Sequence, residues 1–460
     1  MFLTACGTTV ESNNINTTPD TPKPDTPKPD TLNNLLNSNK LGKLQISDDR
    51  RMIEYEDGTG FFWMGDTAWK MPSKSTEKDV IEYMKDRQQR GFNVIQISAV
   101  MIKYSNGNYG PNVNNDSPFT DNNILAPNEK FWKHIDFMID EAEKNNLYVA
   151  LLPAWHNVIS KESDAKNYGI FIANRYKNKK NIIWVVGGDS NAADPSVQKI
   201  WNTLGEEIQN VVGQSQLISY HPSGGKSSSQ WFKDAQWLDF HMIQSGHCGS
   251  IDNANKLLTS VYNKSKPVLD AEPRYEDIHS CFSNKDLLGD RFTADEVREI
   301  AYKQIFSGAM GHTYGHHSIW QKYKNGDGDA GIPLSKASKI WEDALSDDGG
   351  SQMGHLAKLM RSRPLLNRIP DQSMIQNGNA IATRGVGYAF IYFPKGGSVT
   401  INLAKIGGTQ VKAWWFDPKT GDATEIDTYN NSTQTFTTRD TDDIVLVLDD
   451  IAKAYETPGK

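Results

Sequence analysis

From about residue 41 the chain repeats one pattern eight times: a short apolar, β-rich run, then a segment of helical period. The runs fall at 61–69, 92–100, 147–155, 181–189, 216–222, 237–244, 266–272 and 311–320. Between them, Phe131, Ile135, Met138, Ile139 and Ala142 make one apolar helical stripe, and Val197, Ile200, Trp201, Leu204, Ile208 and Val211 make another. Val80, Tyr83 and Met84 repeat the spacing ahead of a stop at Gly91, and Thr293 with Glu296 has the spacing of a capping box. Eight strands, each followed by a helical segment, predict an α/β chain folded as a (β/α)8 TIM barrel. An open doubly wound sheet would share the alternation, but no GxGxxG or phosphate loop follows the first strand.

Beyond residue 370 the period changes to two. Runs at 380–384, 388–393, 398–403, 410–416, 423–428, 433–438 and 444–448 are separated by turn clusters such as Pro394-Lys395-Gly396-Gly397. Such short strands predict a small antiparallel β-sandwich, in which adjacent Trp414 and Trp415 face opposite ways and one belongs to the core. The predicted organisation is a lipoprotein-signal remnant at 1–6, a disordered Pro-rich tether at 7–40, the barrel at 41–368 and the sandwich at 369–460.

Leu3-Thr4-Ala5-Cys6-Gly7 resembles the end of a bacterial lipoprotein signal, with Cys6 as the lipidated residue. The tether repeats Thr-Pro-Lys-Pro-Asp at 21–25 and 26–30, an extended spacer that cannot build a core. Export to the periplasm or the outer-membrane surface is expected, as a monomer touching membrane only through Cys6. No apolar run reaches the ~18 residues of a membrane helix. Cys248 and Cys281 are either disulfide-bonded or two buried thiols, and lack the neighbours of a zinc site. With Lys+Arg 49 against Asp+Glu 56 there is no basic surface for nucleic acid, whereas 12 Trp and 17 Tyr suit sugars, whose C–H faces stack on rings.

A barrel of this kind builds its active site at the C-terminal ends of the strands. There the sequence places Asp66 and Trp69, Trp155 and His156, Asp189 and Asn191, His221, His241 and Gln244, Glu272 with Arg274 and Tyr275, and finally His312, Tyr314, His316, His317 and Trp320. Asp189 follows the apolar 182–186 run through two glycines, and Glu272 ends Pro267-Val268-Leu269-Asp270-Ala271. Carboxylates after strands four and seven face each other across the mouth, as glycoside cleavage requires: an acid for the leaving oxygen and a nucleophile or base for the anomeric centre. We expect Asp189 as general acid and Glu272 as nucleophile or base. Asp66, Trp69, Trp155, His156, Asn191, His221, His241, Gln244, Arg274, Tyr314, His316 and Trp320 are the expected substrate-binding set. Asp66 would otherwise cap a helix, and Arg274 would otherwise form a structural ion pair. His312, His316, His317 and Glu276 invite a metal, but adjacent His316 and His317 point to opposite faces in a strand, so no metal or cofactor is expected. His134 reads as a surface histidine.

Gly-Asp-Thr-Ala-Trp at 65–69, Trp-Val-Val-Gly-Gly-Asp-Ser-Asn at 184–191 and Asp-Ala-Glu-Pro-Arg-Tyr-Glu at 270–276 resemble the motifs of apiosidase-like glycoside hydrolases, barrel enzymes of Bacteroides-type gut bacteria. The trailing sandwich resembles the domain that accompanies them and is named for collagen binding. The resemblance covers roughly 41–450 and implies Asp189 and Glu272 as the catalytic pair and apiose-containing pectic side chains as a substrate. Broader barrel hydrolases of this type carry Asn-Glu after strand four, where this chain has Gly188-Asp189, so the carboxyl separation and the stereochemistry stay open. About 5–5.5 Å means retention and about 6.5–9.5 Å inversion. The alternative from another class is a non-catalytic glycan- or matrix-binding surface lipoprotein.

Overall fold

The computed structural model describes residues 41–262, 265–327 and 335–460; the signal remnant, Cys6 and the tether lie outside them. Each of the eight barrel runs carries a strand: β1 Trp63–Thr67, β2 Val94–Val100, β3 Tyr148–Ala154, β4 Ile182–Ser190, β5 Ile218–Pro222, β6 His241–Gln244, β7 Val268–Asp270 and β8 Gly311–Tyr314. β2 and β3 are buried along their whole length, because barrel side chains cover one face and helices the other. Parallel ladders join β8, β1, β2, β3, β4 and β5 in that order, and β6 pairs in parallel with β7. Backbone bonds bridge the remaining gaps: Asp239 N donates to Ile218 O at 2.8 Å, and Met310 N to Val268 O at 3.0 Å. The last run is only half strand, since His317–Trp320 turns into a helix capped by His316.

The predicted stripes form the helices Glu77–Gln89, Glu129–Lys144 and Pro195–Val212. Thr293 and Glu296 complete both halves of the capping box that opens the helix Ala294–Phe306. His134 corrects the surface assignment: it is buried, and its Nε2 lies 3.1 Å from Ser75 O, because the Met71–Lys74 turn covers that side of its helix.

All seven sandwich runs are strands, and short strands at Ile369–Pro370 and Ile375–Asn377 join them. A six-stranded antiparallel sheet accompanies a three-stranded one, with Val399, Ile401, Leu446 and Phe436 in the core they share. The larger sheet turns its other face to the barrel. There Tyr392 stacks on Tyr302 and Phe390 on Phe306, both rings carried by the helix Ala294–Phe306. Arg363 grips Asp449 with two hydrogen bonds at 2.8 and 2.6 Å, and both side chains are buried. Trp415 packs edge-on to Phe393 and Phe436 inside the sandwich, while Trp414 packs against the barrel's cluster. This domain braces the barrel.

Cys248 and Cys281 are bonded, which decides the alternative the sequence leaves open. The bond ties residues 33 apart, and the unfolded-chain entropy it removes is worth about 3–4 kcal/mol. Reduction under native conditions is therefore expected to lower the melting temperature by several degrees in differential scanning calorimetry.

Candidate active site

At the end of β4 three consecutive residues take left-handed backbone angles: Gly187 and Gly188 at φ 101° each, and Asp189 at φ 50°. Glycine is needed twice for space as well as for angle. A Cβ on Gly187 would sit 2.6 Å from His221 O, and one on Gly188 2.7 Å from the Trp155 ring. The kink lets the chain slip between Trp155 and β5 and sets Asp189 at the barrel mouth. Gly188→Ala is expected to lower kcat/KM by about a hundredfold, the usual consequence of a reacting group displaced by about 1 Å, in steady-state assays of folded protein.

Glu272 comes from the other side. It follows β7, and Gln96 steadies the turn by donating to Ala271 O at 2.9 Å across the barrel interior. One oxygen of Asp189, one of Glu272 and a ring nitrogen of His221 lie within 4.8 Å of one another. His221 Nε2 is 3.4 Å from Glu272 Oε2, and His247 Nε2 is 3.1 Å from Glu272 Oε1. His247 is not among the residues expected from the sequence. It lies in the loop past β6, where no periodicity continues, and the neighbouring Cys248 is its only local sign.

The two carboxyl groups are driven apart in acidity. Burial and the nearby Glu272 charge push Asp189 up to about 6, against the milder pull of His221 and a hydrogen bond from Gln244. Burial also presses Glu272 upward, but the hydrogen bonds and charges of His221 and His247 outweigh it and hold Glu272 at about 2. His221 itself is raised despite its burial, because Glu272 and Asp189 favour its charged form. At mildly acidic pH the site thus holds one protonated carboxyl and one ionised carboxylate side by side, the division of labour that acid–base chemistry on one fold requires.

Trp69 and Trp155 wall the cleft rather than offering open stacking faces, being 2% and 7% exposed. Their rings meet edge-on at 5.2 Å, Trp69 meets His221 at 5.3 Å, and Trp69 Nε1 donates to Tyr275 OH at 3.1 Å. His156 and Asn191 are exposed on the rim, Asn191 bonding back to Ala193 N.

Six expected substrate contacts are instead spent on the protein. Asp66 is fully buried and accepts from Tyr83 OH and Thr67 N, both at 2.8 Å, with Arg87 at 3.4 Å. Tyr314 OH donates to Glu276 at 2.6 Å, and His316 caps its helix while pairing with Asp347 at 2.9 Å. His241 is buried against Ser228. Arg274 lies over the Phe292 ring and bonds Glu296 and Gly249 O, and Trp320 is buried beneath Lys70. The histidines that invite a metal also diverge. His316 turns to Asp347 and His317 to Ser335 O, while His312 is buried with no hydrogen-bond partner among the described residues. Asp189, His221 and Glu272 are as tightly grouped as a cation site, and His221 Nδ1 there accepts from Asp189 N at 3.4 Å.

Residues 47–367 match the family model described as the apiosidase-like catalytic domain. The chain belongs to that family. Residues 369–449 match the model described as "Putative collagen-binding domain of a collagenase". A glycoside hydrolase family 5 protein from Bacteroides vulgatus ATCC 8482 is 32% identical, with a TM-score of 0.84 over 91% of this chain and 95% of its own. A second solved glycoside hydrolase is 33% identical, with a TM-score of 0.82 over 89% of this chain and 97% of its own. A family 5 mannosidase from Rhizomucor miehei shares the fold alone, at 13% identity and a TM-score of 0.51 over 70% of this chain and 97% of its own. None of the curated proteins matches. This apiosidase-like chain is a glycoside hydrolase, and the non-catalytic alternative is set aside.

Proposed function

We propose that this enzyme hydrolyses the O-glycosidic bond of a neutral sugar in a complex plant glycan, with retention of configuration. Asp189 gives its proton to the leaving oxygen while Glu272 attacks the anomeric carbon. The bond to the leaving oxygen breaks and a glycosyl ester forms on Glu272. Asp189, now a carboxylate, takes a proton from water, and the resulting attack frees the sugar and restores Glu272. The observation that carries this reading is that one oxygen of Asp189 and one of Glu272 lie within 4.8 Å of each other, an approach that favours the closer, retaining arrangement. Inversion would need a gap of about 6.5–9.5 Å to admit a water.

The family points to apiose in pectic side chains. A neutral sugar at the cleavage point is also supported by Arg274, whose guanidinium is engaged by Glu296, Gly249 O and Phe292 instead of a uronate. The test is incubation with pectic oligosaccharides and mass-spectrometric detection of the freed monosaccharide. Apiose released by wild type and not by Glu272→Gln supports the reading. Release of a uronic acid contradicts the neutral-sugar assignment, and binding without release contradicts the reaction.

We further place the enzyme at the cell surface, lipidated on Cys6. The 3–7 motif and the Pro-rich repeats support this, and the Cys248–Cys281 bond suits an oxidising compartment. Cys6→Ala is expected to move the protein from the membrane fraction to the soluble exported fraction on immunoblots.

A further inference from the structure

We propose that His247 is a positioning residue for Glu272 and that the Cys248–Cys281 bond is the clamp that keeps it in place; this rests on Glu272 being the nucleophile. Four groups stand around the Glu272 carboxylate: Asp189 from β4, His221 from β5, Tyr275 from its own loop, and His247 from the loop after β6. His247 Nε2 hydrogen-bonds Glu272 Oε1 at 3.1 Å, while His221 Nε2 lies 3.4 Å from Oε2 as an electrostatic neighbour. His247 is thus the histidine whose hydrogen bond fixes the rotation of the carboxylate. His221 belongs to a rigid strand; His247 does not.

After β6 ends, Ser245 N bonds Asp270 Oδ1 at 3.2 Å and Gly246 N bonds Glu272 O at 3.0 Å. Gly246 then turns at φ 72°. From there outward, Cys248, Gly249 and Ser250 are exposed. The loop that follows β7 holds this exposed stretch: Cys281 N donates to His247 O at 2.7 Å, Arg274 donates to Gly249 O at 2.6 Å, and the disulfide adds the covalent link. The His247 ring packs between Tyr275, at 4.5 Å between ring centres, and Phe282, at 5.5 Å. Phe282 adjoins Cys281, so a single covalent bond secures both the donor and one of the rings that flank it.

His247→Ala is expected to lower kcat with little change in KM. It should also move the acidic limb of kcat/KM upward by about one pH unit or more, since the ionised nucleophile loses the histidine hydrogen-bonded to it. His247→Gln keeps an N–H at similar reach and should restore most of both. The double variant Cys248→Ser/Cys281→Ser, or wild type treated with dithiothreitol, should fall between wild type and His247→Ala. A second arm needs no substrate: carbon-13 NMR of carboxyl-labelled glutamate follows the titration of Glu272, assigned by its loss in Glu272→Gln. Glu272 should take up its proton at higher pH in folded His247→Ala than in wild type. Identical titrations overturn the inference, whatever sugar is released, and a cysteine variant titrating like wild type overturns the clamp. Turnover that survives Glu272→Gln overturns the functional reading instead.

Discussion

Glu272→Gln and Asp189→Asn are each expected to abolish turnover of the natural glycan, by at least the ~10²–10⁴-fold that one acid–base group supplies, while leaving the fold intact. They fail for different reasons, and the leaving group separates them. The amide introduced by Asp189→Asn is too weak an acid to protonate the leaving oxygen, so a substrate whose leaving group is already a stable phenolate should recover much of its kcat/KM. Its kcat should stay low, because the amide cannot act as base for the attacking water. The amide introduced by Glu272→Gln cannot form the glycosyl ester, so the same substrate stays inert. The pH dependence follows from the same asymmetry. Asp189, raised to about 6 by burial and by the Glu272 charge, would as the proposed acid work only while protonated. Wild-type kcat/KM should therefore fall as pH rises through about 6, and an activated substrate should lose that dependence. On the acidic side Glu272, held at about 2 by His221 and His247, stays ionised where an ordinary glutamate would not.

The second large effect is on stability. Asp66 lies in the motif that invites a sugar-binding role, yet removing it should cost the fold rather than the affinity. Its carboxylate is the buried acceptor for Tyr83 and lies 3.4 Å from the fully buried Arg87. Deleting one partner of such a group leaves uncompensated charge and an unpaired hydroxyl, at a cost of about 3–5 kcal/mol. The low end applies, because Asp86 also binds the Arg87 guanidinium. Asp66→Ala should therefore shift the urea unfolding midpoint strongly downward, while the folded fraction keeps a wild-type KM. A raised KM with unchanged stability would restore the sugar-binding role.

The difference between Asp66 and Asp189 marks how far the sequence is legible. Strand positions were readable because a parallel strand covered on both faces is mostly apolar, and Gly187-Gly188 announces a break in β4. Glu272 was readable for a related reason: a carboxylate ending such a run falls at the C-terminal end of its strand, where a barrel builds its site. Which way a residue within a strand points was not readable. Asp66 and Tyr314 are paired in register on β1 and β8. Their partners are Tyr83 and Arg87, on the helix Glu77–Gln89, for the first and Glu276 for the second, and one step along a strand reverses the direction a side chain points. His247 was hidden for another reason. Its place is set by a disulfide and two ring contacts between loops distant in sequence, and nothing periodic records them.

The most direct measurement is proton NMR of the first-formed sugar, taken before the released anomer equilibrates. Two carboxylates this close predict a product with the configuration of the bond that was cleaved. An initial product of the opposite configuration would mean that water, not Glu272, attacks the anomeric carbon, and would contradict the account.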